Sequence, residues 1–267
     1  MFDLAVIPAI VLMIFIYKKD RREKEPFKLL MKCFWFGVLS IIPAVLFEYL
    51  GEYLFESDIQ VGSYYYAVVD AFIVTAFSEE LFKFVALKMK TWKSPDFNCK
   101  YDGIVYAVFV GMGFALFENV MYLIDGTLSD ALLRMLVAVP GHACYAVFMG
   151  FFYSRAKQAS LYGNKRMVRR NNFLALFVPI ILHGIYDCLI SVEEEVIGED
   201  PMTVCVLLWI TFVLAMFIFS FVLINRTSKG DMPFSMQRVT WECSCGNINN
   251  GKFCTKCGAA KISMQMR

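Results

Sequence analysis

Seven long apolar runs, near residues 2–17, 29–50, 64–87, 101–124, 131–153, 173–191 and 202–225, divide this chain, and nothing else in it constrains the fold as much. A helix needs ~20 apolar residues to cross the hydrocarbon of a bilayer, and most of these runs come close to that length. In lipid every backbone N–H and C=O must be paired within the protein, so each run is expected to be helical. Composition excludes the ordinary soluble classes, since 58% of the 267 residues are hydrophobic and mean hydropathy is +0.56. The expected fold is an all-α polytopic membrane protein, with 2–17 its shortest span.

The loops alternate in charge. Lys18, Lys19, Arg21, Arg22, Lys24 and Lys28 follow the first run, whereas 51–63 holds Glu52, Glu56 and Asp58 and no basic residue. Lys88, Lys90, Lys93 and Lys100 come next, 125–130 has none, and Arg155, Lys157, Lys165, Arg166, Arg169 and Arg170 follow. Segment 192–201 is acidic, with Glu193, Glu194, Glu195, Glu199 and Asp200, and the tail after Asn225 is basic again. Basic loops stay in the cytoplasm, so the pattern predicts seven spans, an outside N-terminus and a cytoplasmic C-terminus. Met1-Phe2-Asp3 lacks a basic region and the first run ends in Tyr17-Lys18-Lys19, so no cleavable signal peptide is expected.

Charge inside the apolar runs is the next constraint. Glu79, Glu80 and Lys83 lie within 64–87, where a carboxylate costs ~2.5–3.5 kcal/mol on insertion scales and by default marks a functional site. Spacings of three and four residues let Lys83 meet either acid on a helix. Adjacent positions diverge by ~100°, so the two glutamates are not expected to face one site, and separate roles follow. A buried glutamate can act as general base on water; the plainer reading is a pair that grips a neighbouring helix through Lys83.

Glu118 follows Gly111 and Gly113, glycines that permit close helix approach. His142 follows Pro140-Gly141 and His183 follows Pro179, prolines that remove helical hydrogen bonds, and these are the chain's two histidines. Asp187, one turn after His183, is placed to orient its imidazole. Counting 1.5 Å per residue puts Glu118 ~10 Å nearer the outer face than the other four, level with Asp70 and Arg134, where an ion-pair layer is the plainer reading.

In order, Glu79-Glu80-x-x-Lys83, Asp102-Gly103-Ile104-Val105-Tyr106, Gly113-Phe114-x-x-x-Glu118-Asn119, Pro140-x-His142 and His183-Gly184-x-Tyr186-Asp187 resemble the PrsW family of intramembrane proteases. That family shares a superfamily with the CAAX prenyl endoproteases and a gamma-secretase scaffold subunit. The resemblance covers about residues 60–190. It implies a bacterial membrane endopeptidase with catalytic Glu79, Glu80, Glu118, His142 and His183, supported by Lys83, Asn119 and Asp187. Either adjacent glutamate would activate water while the histidines polarise the peptide carbonyl. The family's best-known substrate is a single-span anti-sigma factor. A zinc ion held by His142, His183 and a glutamate stays open, although no His-Glu-x-x-His motif is present. The alternatives are a non-catalytic scaffold or regulatory protein and, third, a proton-coupled transporter, for which no inverted repeat is found.

A small module closes the chain. Cys243-x-Cys245 and Cys254-x₂-Cys257, each knuckle ending in glycine, have the spacing of a closed four-thiolate zinc site. Disulfides conflict with the expected cytoplasmic side. The reading is a membrane domain at 1–225, a linker at 226–238 and a zinc ribbon at 239–267 that docks a partner; nucleic-acid binding is not expected from Lys252, Lys256 and Lys261 alone.

Overall fold

The computed structural model describes residues 2–55, 64–124, 126–191, 199–234, 241–249 and 253–259. The acidic residues Glu56, Asp58 and Glu193 to Glu195, and Lys252 and Lys261, lie outside these. Helix α1 (Phe2–Lys19) precedes a rod formed by α2 (Phe27–Leu39) and α3 (Ile41–Phe55). A third rod runs through α4 (Tyr64–Val69), a π-helical segment (Asp70–Ala76) and α5 (Phe77–Thr91). After α6 (Asp102–Tyr122), a fifth rod joins α7 (Leu128–Leu133), a second π segment (Arg134–Ala138) and α8 (Val139–Leu161). Helices α9 (Lys165–Cys188) and α10 (Glu199–Lys229) complete the bundle, and a two-stranded hairpin of β1 (Trp241–Glu242) and β2 (Ile248–Asn249) follows.

Seven rods thus match the seven apolar runs among the described residues. Five are long and apolar enough to cross a membrane: 27–55, 102–122, 128–161, 165–188 and 202–229. The first rod has 18 residues of which Asp3, Lys18 and Lys19 are charged, and the third carries Asp70, Glu79, Glu80 and Lys83. Of these, Glu79, Glu80 and Lys83 belong to the site described below. Helix α10 continues to Lys229, a turn beyond the apolar run.

Helix α6 is the axis of the bundle. It is buried without a break from Asp102 to Ala115 and packs against α1, α2, α5 and α8. Glycines set two approaches that position the site. A Cβ at Gly113 would collide with the Phe34 carbonyl of α2, so that pair of helices can touch backbone to backbone. A Cβ at Gly184 would overlap the ring of Phe72, so the first π segment lies directly on α9 and brings the Glu79 rod beside His183. Gly111 faces α8, where a Cβ would lie 3.4 Å from the His142 carbonyl.

Candidate active site

Helix α5 presents Glu79, Glu80 and Lys83 to the bundle interior, all three buried. The Lys83 ammonium donates to Glu79 Oε2 and to Glu80 Oε1, each at 2.8 Å. It also lies 3.0 Å from His142 Nδ1 and 4.0 Å from the centre of the Phe114 ring. The expectation that adjacent glutamates cannot share a site is therefore wrong here. Helical phase separates their Cα–Cβ bonds by ~100°, but three flexible side chains close that angle on one ammonium.

From this centre the contacts run outward in two directions. His183 Nδ1 is 3.1 Å from Glu80 Oε1 and 3.9 Å from Glu79 Oε2, while its Nε2 is 3.2 Å from Asp187 Oδ2. His142 Nε2 is 2.8 Å from Glu118 Oε2, and Arg134 ties Glu118 to Asn119 through its Nη2 and Nε at 2.5 and 2.7 Å. All five residues assigned as catalytic, with Lys83, Asn119 and Asp187, form one connected polar cluster. Asp187 sits where sequence spacing placed it.

Glu118 pairs with Arg134, as the ion-pair reading expected, and its carboxylate also reaches His142. Asp70 takes no part in the ion pairs among the described residues. The prolines act unequally: Pro179 lies inside an uninterrupted α9, whereas Pro140 is the second residue of α8, just past the second π segment. Such wide turns recur at functional sites, and the two here abut the segments that carry Glu79 and His142.

Two cavities meet at the cluster. One, of about 440 Å³, lies between α3, the first π segment and α6, and includes Glu48, Thr75, Glu79 and Glu118 in its wall. The other, of about 280 Å³, is walled by Glu79, Glu118, His142, Tyr145, His183 and Asp187 among others. Glu79 and Glu118 line both; Glu80 lines neither and is 1% exposed. The two adjacent glutamates are thus distinguished by access to open space rather than by helix face.

Sequence reasoning missed two residues. Glu48 reaches the larger cavity from α3, and its Oε1 is buried with no hydrogen bond. It is a carboxylate inside an apolar run, the same signal that singled out Glu79. Tyr145 stacks on the His183 ring at 4.6 Å, and its buried hydroxyl makes no hydrogen bond. Its one sequence signal is its place three residues after His142, which puts it on the same helix face.

At the C-terminus, Cys243, Cys245, Cys254 and Cys257 bring their sulfurs within 4.8 Å of one another and could hold a metal. The cross-knuckle distances are 3.5 Å for Cys243 to Cys257 and 3.6 Å for Cys245 to Cys254. These exceed a disulfide bond of ~2.05 Å and approach the ~3.8 Å between thiolates around tetrahedral zinc with 2.3 Å bonds. Gly246 and Gly258 close the knuckles at φ values of 76° and 73°, a conformation that disfavours side chains.

A family model described as "PrsW family intramembrane metalloprotease" matches residues 25–223 and ends before the first of these four cysteines. Curated relatives share the name "Protease PrsW". The one from Halalkalibacterium halodurans is 34% identical over 188 residues, 70% of this chain and 81% of its own length. The one from Clostridioides difficile is 34% identical over 197 residues, with 72% and 80% covered. The one from Bacillus subtilis is 29% identical over 234 residues, with 88% and 96% covered. No solved structure matches the chain.

Proposed function

The chain belongs to the PrsW family of intramembrane metalloproteases, and we propose that it is a bacterial multi-pass endopeptidase that cuts a membrane-anchored protein, an anti-sigma factor being the first candidate, with Glu79 as the base that activates water. One observation carries the choice of Glu79: its carboxylate lines both cavities while Lys83 holds it in place. A peptide entering either cavity meets Glu79 before Glu80.

In this reading a water beside Glu79 gives up its proton to the carboxylate as it attacks the scissile carbonyl, and the same carboxyl returns that proton to the leaving amine. Glu80 is the anchor. Its Oε1 accepts from Lys83 and contacts His183, whose other nitrogen meets Asp187, so that this imidazole is fixed at both ends. The nitrogens of His142 lie 3.0 Å from Lys83 Nζ and 2.8 Å from Glu118 Oε2. The Tyr145 hydroxyl, buried without a hydrogen bond on the wall of the same cavity, is the donor for a developing oxyanion in place of the histidines.

The family description implies a metal, and the donors fit one. Glu79, Glu118 and His142 offer one atom each within 4.8 Å, as do Glu79, Glu80 and His183, and Glu80 Oε2 is buried without a hydrogen bond. A divalent ion held by either set would lower the pKa of bound water and polarise a carbonyl. Lys83 and Arg134 then serve as the fixed cations that keep Glu79, Glu80 and Glu118 in register.

All seven rods cross the membrane in this reading, with the basic loops and the C-terminus in the cytoplasm. Residues 1–225 form the membrane domain, 226–238 the linker and 239–267 a ribbon closed by structural zinc on its four thiolates. The ribbon contacts a cytoplasmic protein, and nucleic acid plays no part.

The test is incubation of the purified full chain with a panel of single-span membrane proteins, products being read by mass spectrometry. The expected result is a discrete cut within or beside the span of at least one, lost in a folded Glu79→Gln variant. Cleavage of none, or undiminished cleavage by Glu79→Gln, overturns the proposal.

A further inference from the structure

A second buried acidic cluster lies far from the protease site, at the end of the bundle where α1 finishes and α10 gives way to the ribbon. Asp20, Asp102 and Asp231 are each 2–5% exposed, and they come from three separate parts of the chain. Asp20 follows α1, Asp102 opens α6, and Asp231 follows α10. Asp102 and Asp231 each offer a carboxylate oxygen, and Cys99 its sulfur, all within 4.8 Å of one another.

The cluster holds its charges without a direct ion pair. No ion pair among the described residues involves these acids. The neighbouring basic side chains bond backbone rather than carboxylate: Lys24 donates to the carbonyls of Tyr17, Lys18 and Asp20, and Arg22 to that of Asp231. Asp102 is held by the backbone N–H groups of Asn98 and Cys99 at 2.9 and 2.6 Å, and Asp231 Oδ1 by that of Tyr101 at 2.9 Å. Those bonds fix the carboxylates in place, and a further buried acid, Glu25, hydrogen-bonds Asp102. Asp231 Oδ2 and both oxygens of Asp20 are buried with no partner. Uncompensated buried carboxylates are strongly unfavourable, and proteins resolve them by pairing, by protonation or by binding a metal.

We infer that Asp102, Asp231 and Cys99, flanked by Asp20, form a site for a divalent cation of the zinc type. A single thiol among carboxylates suits a borderline ion better than the hard Ca²⁺ or Mg²⁺. The ion clamps the segment through which the bundle reaches its ribbon. Pro233 bridges Cys99, the Phe234 N–H donates to the Asn98 carbonyl at 2.8 Å, and the Tyr162 hydroxyl donates to the Phe234 carbonyl at 2.8 Å. Occupancy fixes where the ribbon's tether leaves the membrane domain.

The test uses purified full-length protein loaded with Zn²⁺ and desalted, with bound zinc counted per chain by elemental mass spectrometry. The ribbon and the membrane site contribute equally to every sample. Asp231→Asn keeps the acceptor for Tyr101, and Asp20→Asn breaks no hydrogen bond, so both variants should fold. The expected result is one zinc fewer per chain in Asp231→Asn, together with loss of a zinc-dependent rise in melting temperature seen in the wild type. Asp20→Asn should weaken that rise. Equal zinc counts in wild type and Asp231→Asn overturn the inference and leave a cluster of protonated acids.

Discussion

The molecule buries carboxylates in two places and treats them differently. Around Glu79 the acids come with their own cations, Lys83 and Arg134, and with two imidazoles, and the cluster opens onto two cavities. At the other site Asp102 and Asp231 are held by backbone N–H groups and make no ion pair among the described residues. The first arrangement keeps charge fixed in a setting a substrate can reach, as a catalyst requires. The second leaves negative charge for something from outside to complete. Burial alone therefore does not separate a reactive carboxylate from a structural one; the countercharge and the adjoining space do.

Lys83→Met should turn the first region into a copy of the second. It leaves Glu79 and Glu80 without their ammonium, and removing one member of a buried pair costs ~3–5 kcal/mol. Thermal unfolding should show that loss, and cleavage should vanish with it. Tyr145→Phe removes a hydroxyl that has no structural partner, so the melting temperature should hold while kcat falls by ~10²–10³, as for loss of an oxyanion donor. An equal rise in KM instead would make Tyr145 a binding residue.

Gly184→Ala tests the packing that brings the two halves of the site together. The new methyl meets the Phe72 ring, and overpacking of this kind costs ~1–3 kcal/mol. Cleavage should decline without disappearing, because α9 is displaced from the first π segment rather than stripped of His183. The smallest effect is expected at the ribbon. Cys243→Ser with Cys254→Ser should release one zinc by elemental analysis and leave cleavage of a detergent-solubilised substrate unchanged.

Much of this was legible in the sequence for one reason: the bilayer makes polarity expensive, so each charged residue in an apolar run stands out. That rule located Glu79, Glu80, Lys83, Glu118, His142 and His183, and the same rule applied to α3 would have found Glu48. What it could not give was side-chain reach. Glu79 and Glu80 converge through Lys83, and Glu118 spans the gap to His142, because long side chains reach beyond what helical phase and depth counted along an axis indicate. Tyr145 reads as one more aromatic among 13 tyrosines until its hydroxyl is seen without a partner. Asp20, Asp102 and Asp231 lie in or beside polar loops, where an acid is unremarkable, and only the fold reveals that they are buried together.

The most direct measurement is the single-turnover cleavage rate of Glu79→Gln beside that of Glu80→Gln, each paired with a melting curve. If Glu79 is the base, Glu79→Gln loses ~10²–10⁴ in rate, and Glu80→Gln loses more stability than Glu79→Gln because it loosens His183 as well as Lys83. A Glu79→Gln enzyme that cuts at the wild-type rate would contradict this assignment.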